Sequence, residues 1–372
     1  MYKRASEIVC SELYIKNFRC FKDLTLKFDN SVVLLEGING AGKTSILEAL
    51  YYACYLRSFR THLPKELISF DQEHFFVRIQ IQNNNNDHEI QVGFSHDKRS
   101  VKIDKKAISS YKELMAHYRV VSLIEDDVNL IKGGPQERRS FIDQTILLLD
   151  ASLAVSMKEF RKVLSNRTSL IQQLRSANDN YWLWTHQLWE RSQEIQKKRT
   201  ALLALLMEDV HELVRMHFDD NYEIACTYEP KLMKENQTFQ QFVEAQPHLF
   251  EHENTAKRSL FGAHLDDFVI KLQNKKTKRL ASRGQQKLIL LLLKIAQAHY
   301  IATHSGPLLL LLDDFMTDFD HSTVQKLLSI LYSLKSQLIF TSPITGSILS
   351  SEVSSRGAQL ITVTHSIKEA YK

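Results

Sequence analysis

Cysteine is scarce: four in 372 residues (Cys10, Cys20, Cys54 and Cys226), with no C-x-x-C pair and no metal-ligand spacing. That excludes a disulfide scaffold and a cysteine zinc site, and it is the usage expected of a reduced, cytosolic protein. With 11 glycines and 6 prolines there is little room for linkers or low-complexity segments, and the chain has no evident internal repeat. No uninterrupted apolar run approaches bilayer length, and the opening MYKRASEIVC lacks the apolar core of a leader. Neither a membrane span nor a secretory signal is expected. Neither sign of charge dominates. Lys and Arg number 48 against 43 Asp and Glu, a net +5 that is compatible with nucleic acid and by itself no evidence for it.

What is present is a chain long enough for two or three domains, with 44% apolar and 24% charged residues, the balance of a globular protein with a sizeable core. Its organising stretch is VVLLEGINGAGKTSILEALYYACY, residues 32–55. Val32 to Leu35 read as a buried parallel strand, and Ile46, Leu47, Ala49, Leu50 and Ala53 recur at helical spacing. Between them Gly37, Ile38, Asn39, Gly40, Ala41, Gly42, Lys43 and Thr44 fit G-x-x-x-x-G-K-[ST] in the strand–loop–helix context that motif requires. The glycines let backbone N–H groups converge on a triphosphate, and the following helix turns its positive end to the same place. Lys43 is expected on the β- and γ-phosphates of ATP, and Thr44 on Mg²⁺.

Residues 12–30 alternate as two strands of a hairpin. Asn17 and Arg19 there are open to two readings, nucleotide contacts or polar residues of a strand edge. Val77–Ile81, Ile90–Phe94 and Val101–Ile103 read as an antiparallel meander around the Asn83–Asn86 turn, and residues 119–124 as another buried strand. After Lys132-Gly-Gly-Pro135 a helix opens with Glu137, Arg138, Arg139 and Asp143. The arginines face DNA or phosphate on one reading and solvent on the other. From Ser152 to Phe218 the pattern is helical, broken at Arg175–Asn180, which predicts an antiparallel hairpin arm. Polar stretches interrupt its seam, so it does not read as a clean heptad. Trp182, Trp184 and Trp189 near the turn suit core packing, with base stacking as the alternative.

Two late motifs extend the site. Ser282-Arg-Gly284-Gln285 opens a long apolar helix with Ser282 as its N-cap, a second anion-binding helix start. Leu308–Leu312 then runs into Asp313-Asp314, a buried strand with carboxylates at the edge where open α/β sheets hold their ligands. Asp313 is expected to hold Mg²⁺, and Asp314 to orient the attacking water or accept its proton. Gln337–Thr341 and Leu360–Thr364 read as further parallel strands, and no histidine follows Phe340, where Thr341 and Ser342 stand.

In this order, a phosphate loop, a late S-x-G-Q helix start and an L-L-L-D-D strand resemble an ATP-binding-cassette-type ATPase head. Ser282 lies 239 residues after Lys43 (282 − 43), a separation characteristic of SMC-like DNA-repair ATPases split by a helical arm and much larger than in transporter cassettes. LYIKNFRCF, RSFRT, LIKGGPQERRSFID, SLFGAHLDDF, ASRGQQKLILLLLKIA and PLLLLLDDFMTDFD, spread over about residues 13–320, resemble the RecF family. Arg283 replaces the first glycine of the general L-S-G-G-Q signature, and Asp314 replaces the usual glutamate, one methylene shorter, which points to slow turnover.

The resemblance implies an α/β fold: an ATP-binding-cassette head, its mixed sheet combining a P-loop core with an antiparallel β lobe, and an inserted helical-hairpin, short coiled-coil arm. The expected divisions are 1–150 (head with P-loop and β lobe), 151–220 (arm) and 221–372 (head with signature and Asp313-Asp314). It implies ATP and Mg²⁺ as cofactors, Lys43, Asp313 and Asp314 as catalytic groups, and Ser282, Gly284 and Gln285 capping the γ-phosphate held by a second copy. It further implies an ATP-dependent homodimer that binds DNA at single-strand/duplex junctions. That dimer would work with recombination mediator proteins in replication, gap repair and the SOS response, and help load recombinase. A structural chromosome-organising ATPase is disfavoured by the short arm. An appended nuclease is disfavoured because 52 residues follow Asp320 (372 − 320) with no spare acid cluster.

Overall fold

The computed structural model describes residues 10–83, 86–108, 114, 118–150, 152–173, 179–218, 222–273, 275–334, 336–343 and 347–364. The centre of the Asn83–Asn86 turn and most of the break expected at Arg175–Asn180 lie outside them. In chain order the elements are β1 (Cys10–Phe18), β2 (Phe21–Lys27), β3 (Val32–Glu36), α1 (Lys43–Tyr55), β4 (His74–Asn83), β5 (Asn86–Ser95), β6 (Lys98–Ile103), β7 (Lys106–Ala107) and β8 (Val120–Leu123). After a helical turn at Asn129–Lys132 come α2 (Pro135–Leu149), α3 (Ser152–Gln172), α4 (Asp179–His217), β9 (Ile224–Glu229), α5 (Phe239–Glu244) and α6 (Leu249–Ala256). The chain continues with β10 (Asp267–Leu272), β11 (Lys275–Lys276), α7 (Thr277–Leu280), α8 (Arg283–Ser305), β12 (Leu309–Leu312), α9 (His321–Ser333), β13 (Gln337–Ser342), α10 (Ile348–Ser355) and β14 (Gln359–Thr362). These form two compact units, residues 128–296 and the described residues on either side of them.

In the unit built from both ends of the chain, parallel and antiparallel strands occupy separate sheets. The parallel sheet has the order β14-β3-β13-β12-β8. Every residue of β3, β13, β12 and β8 is buried, which is why these strands read as continuous apolar runs, whereas edge strand β14 alternates. The antiparallel sheet has the order β2-β1-β4-β5-β6-β7 and buries one face only: Leu13, Ile15, Val77, Ile79, Ile90, Val92 and Val101. Ile46, Leu47, Ala49, Leu50 and Ala53 of α1 share one core with both sheets, which fixes the phosphate loop at the carboxyl edge of β3.

The second unit holds the arm. Ser156 bonds Glu194 at 2.7 Å, Glu159 pairs with Arg191 at 3.0 Å and Arg167 bonds Thr185 at 3.0 Å, so α3 and α4 run antiparallel. The seam on α4 is Tyr181, Thr185, Leu188, Ser192, Ile195, Arg199 and Leu202, all buried at alternating four- and three-residue steps. Polar residues do interrupt the seam, as expected, and they do so in register: the heptad spacing is kept, with Thr185, Ser192 and Arg199 at every seventh position. The hydroxyls of Thr185 and Ser192 are satisfied by the carbonyls of Tyr181 and Leu188. The guanidinium of Arg199 donates to Asp143 at 2.8 and 2.9 Å. Fully buried Arg167 donates to Glu253, Thr185, Ser259 and Tyr181. Trp189 packs against His186 and Phe239, and Trp182 edge-on against Tyr181, so these two serve packing.

Arg138 and Arg139 follow neither sequence reading. Arg138 is 7% exposed and holds both carboxylate oxygens of Asp267, at 2.6 and 3.0 Å. Arg139 donates to the carbonyl of Asp266 at 2.6 Å. The pair tie the start of α2 to the corner that opens β10, where a buried, bidentate arginine gives geometric definition. Among the described residues, no helix is long and apolar enough to cross a membrane.

Candidate nucleotide site

Strand β3 delivers the loop. Gly37 lies so close to the backbone that an added Cβ would sit 2.4 Å from the Val363 carbonyl oxygen. Gly42 closes the loop at φ 98°, and a Cβ there would meet the Phe21 ring at 2.5 Å and the Cys20 sulfur at 2.7 Å. Ile38, Asn39 and Gly40 are exposed, and Ala41 is buried beneath them. Helix α1 then begins without a side-chain cap and without an acid in its first turn. Its first N–H groups and positive dipole end therefore suit an anion.

The Lys43 side chain folds back over the loop, its ammonium donating to the carbonyls of Gly37 at 2.6 Å and Ile38 at 3.0 Å. Burial lowers its pKa, opposed by the carboxylates of Asp314 and Asp313. The Thr44 hydroxyl donates to Asp313 at 2.9 and 3.0 Å. Between them stands Thr341 of β13, whose hydroxyl donates to Asp313 at 2.9 Å and accepts the N–H of Asp314 at 2.8 Å. Strand order explains the meeting. β13 lies between β3 and β12, Leu312 pairs with Phe340 and Phe340 with Leu34, so the residues just beyond converge at one edge. Burial raises the Asp313 pKa, while the Thr44 and Thr341 hydroxyls and the Lys43 charge lower it. Asp314 adopts φ 47°, a left-handed conformation uncommon outside glycine and typical of strained functional positions.

These groups line a cleft of about 1110 Å³ with Arg19 and Arg60 on its wall. Both arginines converge on Glu48 of α1, a carboxylate with no exposed surface that sequence reasoning missed. Arg19 binds it at 2.7 and 2.8 Å, Arg60 lies 3.8 Å away, and the Ser58 hydroxyl donates to it. Its only sequence signal was an acid on the apolar face of α1. Arg19 thus reaches the cleft with its guanidinium committed to Glu48, and Asn17 is buried outside the cleft lining.

Ser282, Gly284 and Gln285 belong to the other compact unit. The Ser282 hydroxyl accepts the Gln285 N–H at 3.3 Å, and the Gln285 side chain accepts the Ser282 N–H at 2.9 Å. This reciprocal capping box fixes the start of α8, as the serine predicted. At Gly284 an added Cβ would meet nothing within 4 Å. The expected site residues therefore fall into two groups, the loop with Asp313 and Asp314 in one unit and the S-x-G-Q start in the other.

The residues that converge here fit a nucleoside triphosphate with a divalent cation. Uncapped amides and an ammonium face one cleft, and a hydroxyl and a carboxylate already share hydrogen at the place a cation would take.

Against known proteins, residues 9–369 match the model for the RecF/RecN/SMC N terminal domain. A DNA replication and repair protein RecF from Acetivibrio thermocellus is 30% identical over 320 residues, 83% of this chain and 86% of that protein. Its counterpart from Bacillus cytotoxicus is 27% identical over 90% of this chain and 92% of its own length. Among solved structures, the recombination mediator protein RecF-ATPrS in the RecFOR pathway superposes with TM-score 0.79 at 25% identity, over 92% of this chain and 94% of that one.

Proposed function

Because the chain belongs to the RecF/RecN/SMC N-terminal domain family, we propose that it is an ATP-gated, DNA-binding ATPase of DNA replication and recombinational repair. The observation that carries this reading is the meeting of Lys43, Thr44, Asp313 and Thr341 at one sheet edge. Gly37 to Thr44 would hold the phosphates of ATP. Lys43 would exchange its two carbonyl acceptors for phosphate oxygens, and Thr44 and Asp313 would hold Mg²⁺, which when bound neutralises phosphate charge. Asp314 would orient the attacking water and take its proton.

Ser282, Gly284 and Gln285, at a helix start that the Ser282–Gln285 capping box fixes, would cap the γ-phosphate held by a second copy, which would give an isologous dimer with two nucleotides between its subunits. Loss of the γ-phosphate would remove the acceptor these groups share, and the dimer would loosen. The closed dimer would bind DNA through phosphates, at single-strand/duplex junctions, and act with recombination mediator proteins to help load recombinase in gap repair and the SOS response. The test is duplex binding with and without ATP and Mg²⁺, for the wild type and Lys43→Met. ATP should tighten binding by the wild type alone, and equal binding by both under every condition would reject ATP gating.

A further inference from the structure

The charge of this chain is unevenly placed. From Phe268 to Leu312 there is no Asp or Glu and there are eight Lys or Arg. The net +5 of the whole chain is therefore +8 in this stretch and −3 elsewhere (5 − 8). Part of that charge is turned inward: Lys287 is 4% exposed. Lys275, Lys276, Lys278 and Arg283 are exposed, on β11, on α7 and on the first turn of α8.

Three local choices here work against stability. Lys276 stands directly across the β10–β11 ladder from Lys271, and like charges at opposed positions repel. Arg283 lies in the first turn of α8, a turn with no acidic residue, where the helix dipole disfavours a cation. Lys275 and Lys276 form no ion pair with any described residue. The Lys278 ammonium donates to the Gly133 carbonyl at 3.0 Å, which sets it beside exposed Lys132 and adds a fifth cation. Where neighbouring positions break local rules together, a functional demand is the usual cause. A bound polyanion would relieve all of them. Because the cations are spread over a strand, two helix starts and the end of a helical turn, a row of phosphates matches them and a single phosphate does not.

We propose that Lys132, Lys275, Lys276, Lys278 and Arg283 form a ridge that binds the phosphate backbone of duplex DNA beside the S-x-G-Q helix start. The proposal rests on the DNA-binding reading above and names the surface that reading leaves open. It places DNA contacts next to the groups assigned to the partner's γ-phosphate, so nucleotide state and DNA affinity would act on the same helix start.

The experiment measures anisotropy of a labelled duplex with ATP and Mg²⁺ across a salt series, for the wild type, Lys275→Gln/Lys276→Gln and Lys98→Gln/Lys102→Gln. The last pair removes the same charge from exposed positions on β6. Losing two phosphate contacts should make the slope of log affinity against log salt shallower by about 2 and weaken binding, with the β6 variant unchanged. Relief of repulsion should leave the melting temperature of the ridge variant equal or higher. If the wild type binds DNA and the ridge variant matches it, or if both variants weaken equally, the ridge is wrong and the repair reading stands. If the ridge variant loses ATP-dependent dimerisation, the lysines belong to the subunit interface and the proposal is overturned. If the wild type binds no duplex, both readings fall.

Discussion

The Thr44 hydroxyl donates to both carboxylate oxygens of Asp313, at 3.0 and 2.9 Å, across 269 residues of sequence. Three parallel strands make this possible. β3 and β12 end on either side of β13, and Thr341 of β13 bonds both Asp313 and the backbone of Asp314. A hydroxyl and a carboxylate held this way need little rearrangement to share a divalent cation.

Asp314→Asn should leave nucleotide binding intact and slow hydrolysis by roughly 10²–10⁴-fold, the usual range for removing a general base. Phosphate release measured alongside light scattering should show slow turnover and persistent dimers. Normal turnover would remove Asp314 from the chemistry.

Gly42→Ala should abolish nucleotide binding while α1 persists. The position needs φ 98°, and the new methyl would meet Phe21 and Cys20. Titration with a fluorescent ATP analogue, with circular dichroism as the fold control, reads both effects. Wild-type affinity would mean that the loop tolerates a side chain at its closing residue.

Arg167→Met should destabilise the arm by about 3–5 kcal/mol, because it strands the fully buried carboxylate of Glu253. All three tryptophans, Trp182, Trp184 and Trp189, lie on α4, so denaturant unfolding followed by their fluorescence reports this unit. A midpoint within error of the wild type would show that the ion pair contributes nothing.

His264 supplies a pH dependence. Burial, helped by Arg139, Arg167, Arg199 and Arg258, lowers its pKa from 6.5 to about 4. Between those values the unfolded chain binds a proton that the folded chain refuses, so stability falls as pH drops through this window and levels off below it. His264→Asn should flatten that part of the curve, measured as the tryptophan-fluorescence midpoint against pH. An unchanged slope would assign the acid sensitivity to other groups.

The phosphate loop, the Asp313 strand and the serine-capped helix were legible because each is local: a short motif flanked by the elements that its chemistry requires. The heptad of α4 was hidden for a physical reason. Thr185, Ser192 and Arg199 sit in the seam, and a hydrophobic pattern cannot register a buried polar residue whose partners come from elsewhere in the fold. Arg138 and Arg139 misled in the same way, since their carboxylate and carbonyl partners lie 129 and 127 residues ahead. Glu48 was invisible for want of any signal that two distant arginines would converge on it.

In the function proposed above, the Ser282 helix start of one copy would clasp the nucleotide held by another. Light scattering of the wild type and Ser282→Arg, each with and without ATP and Mg²⁺, decides whether it does. The expected result is a doubling of wild-type mass that requires nucleotide, and a variant that binds ATP yet keeps the mass of a single chain. A wild type that stays single with ATP, or a variant that doubles equally well, would contradict it.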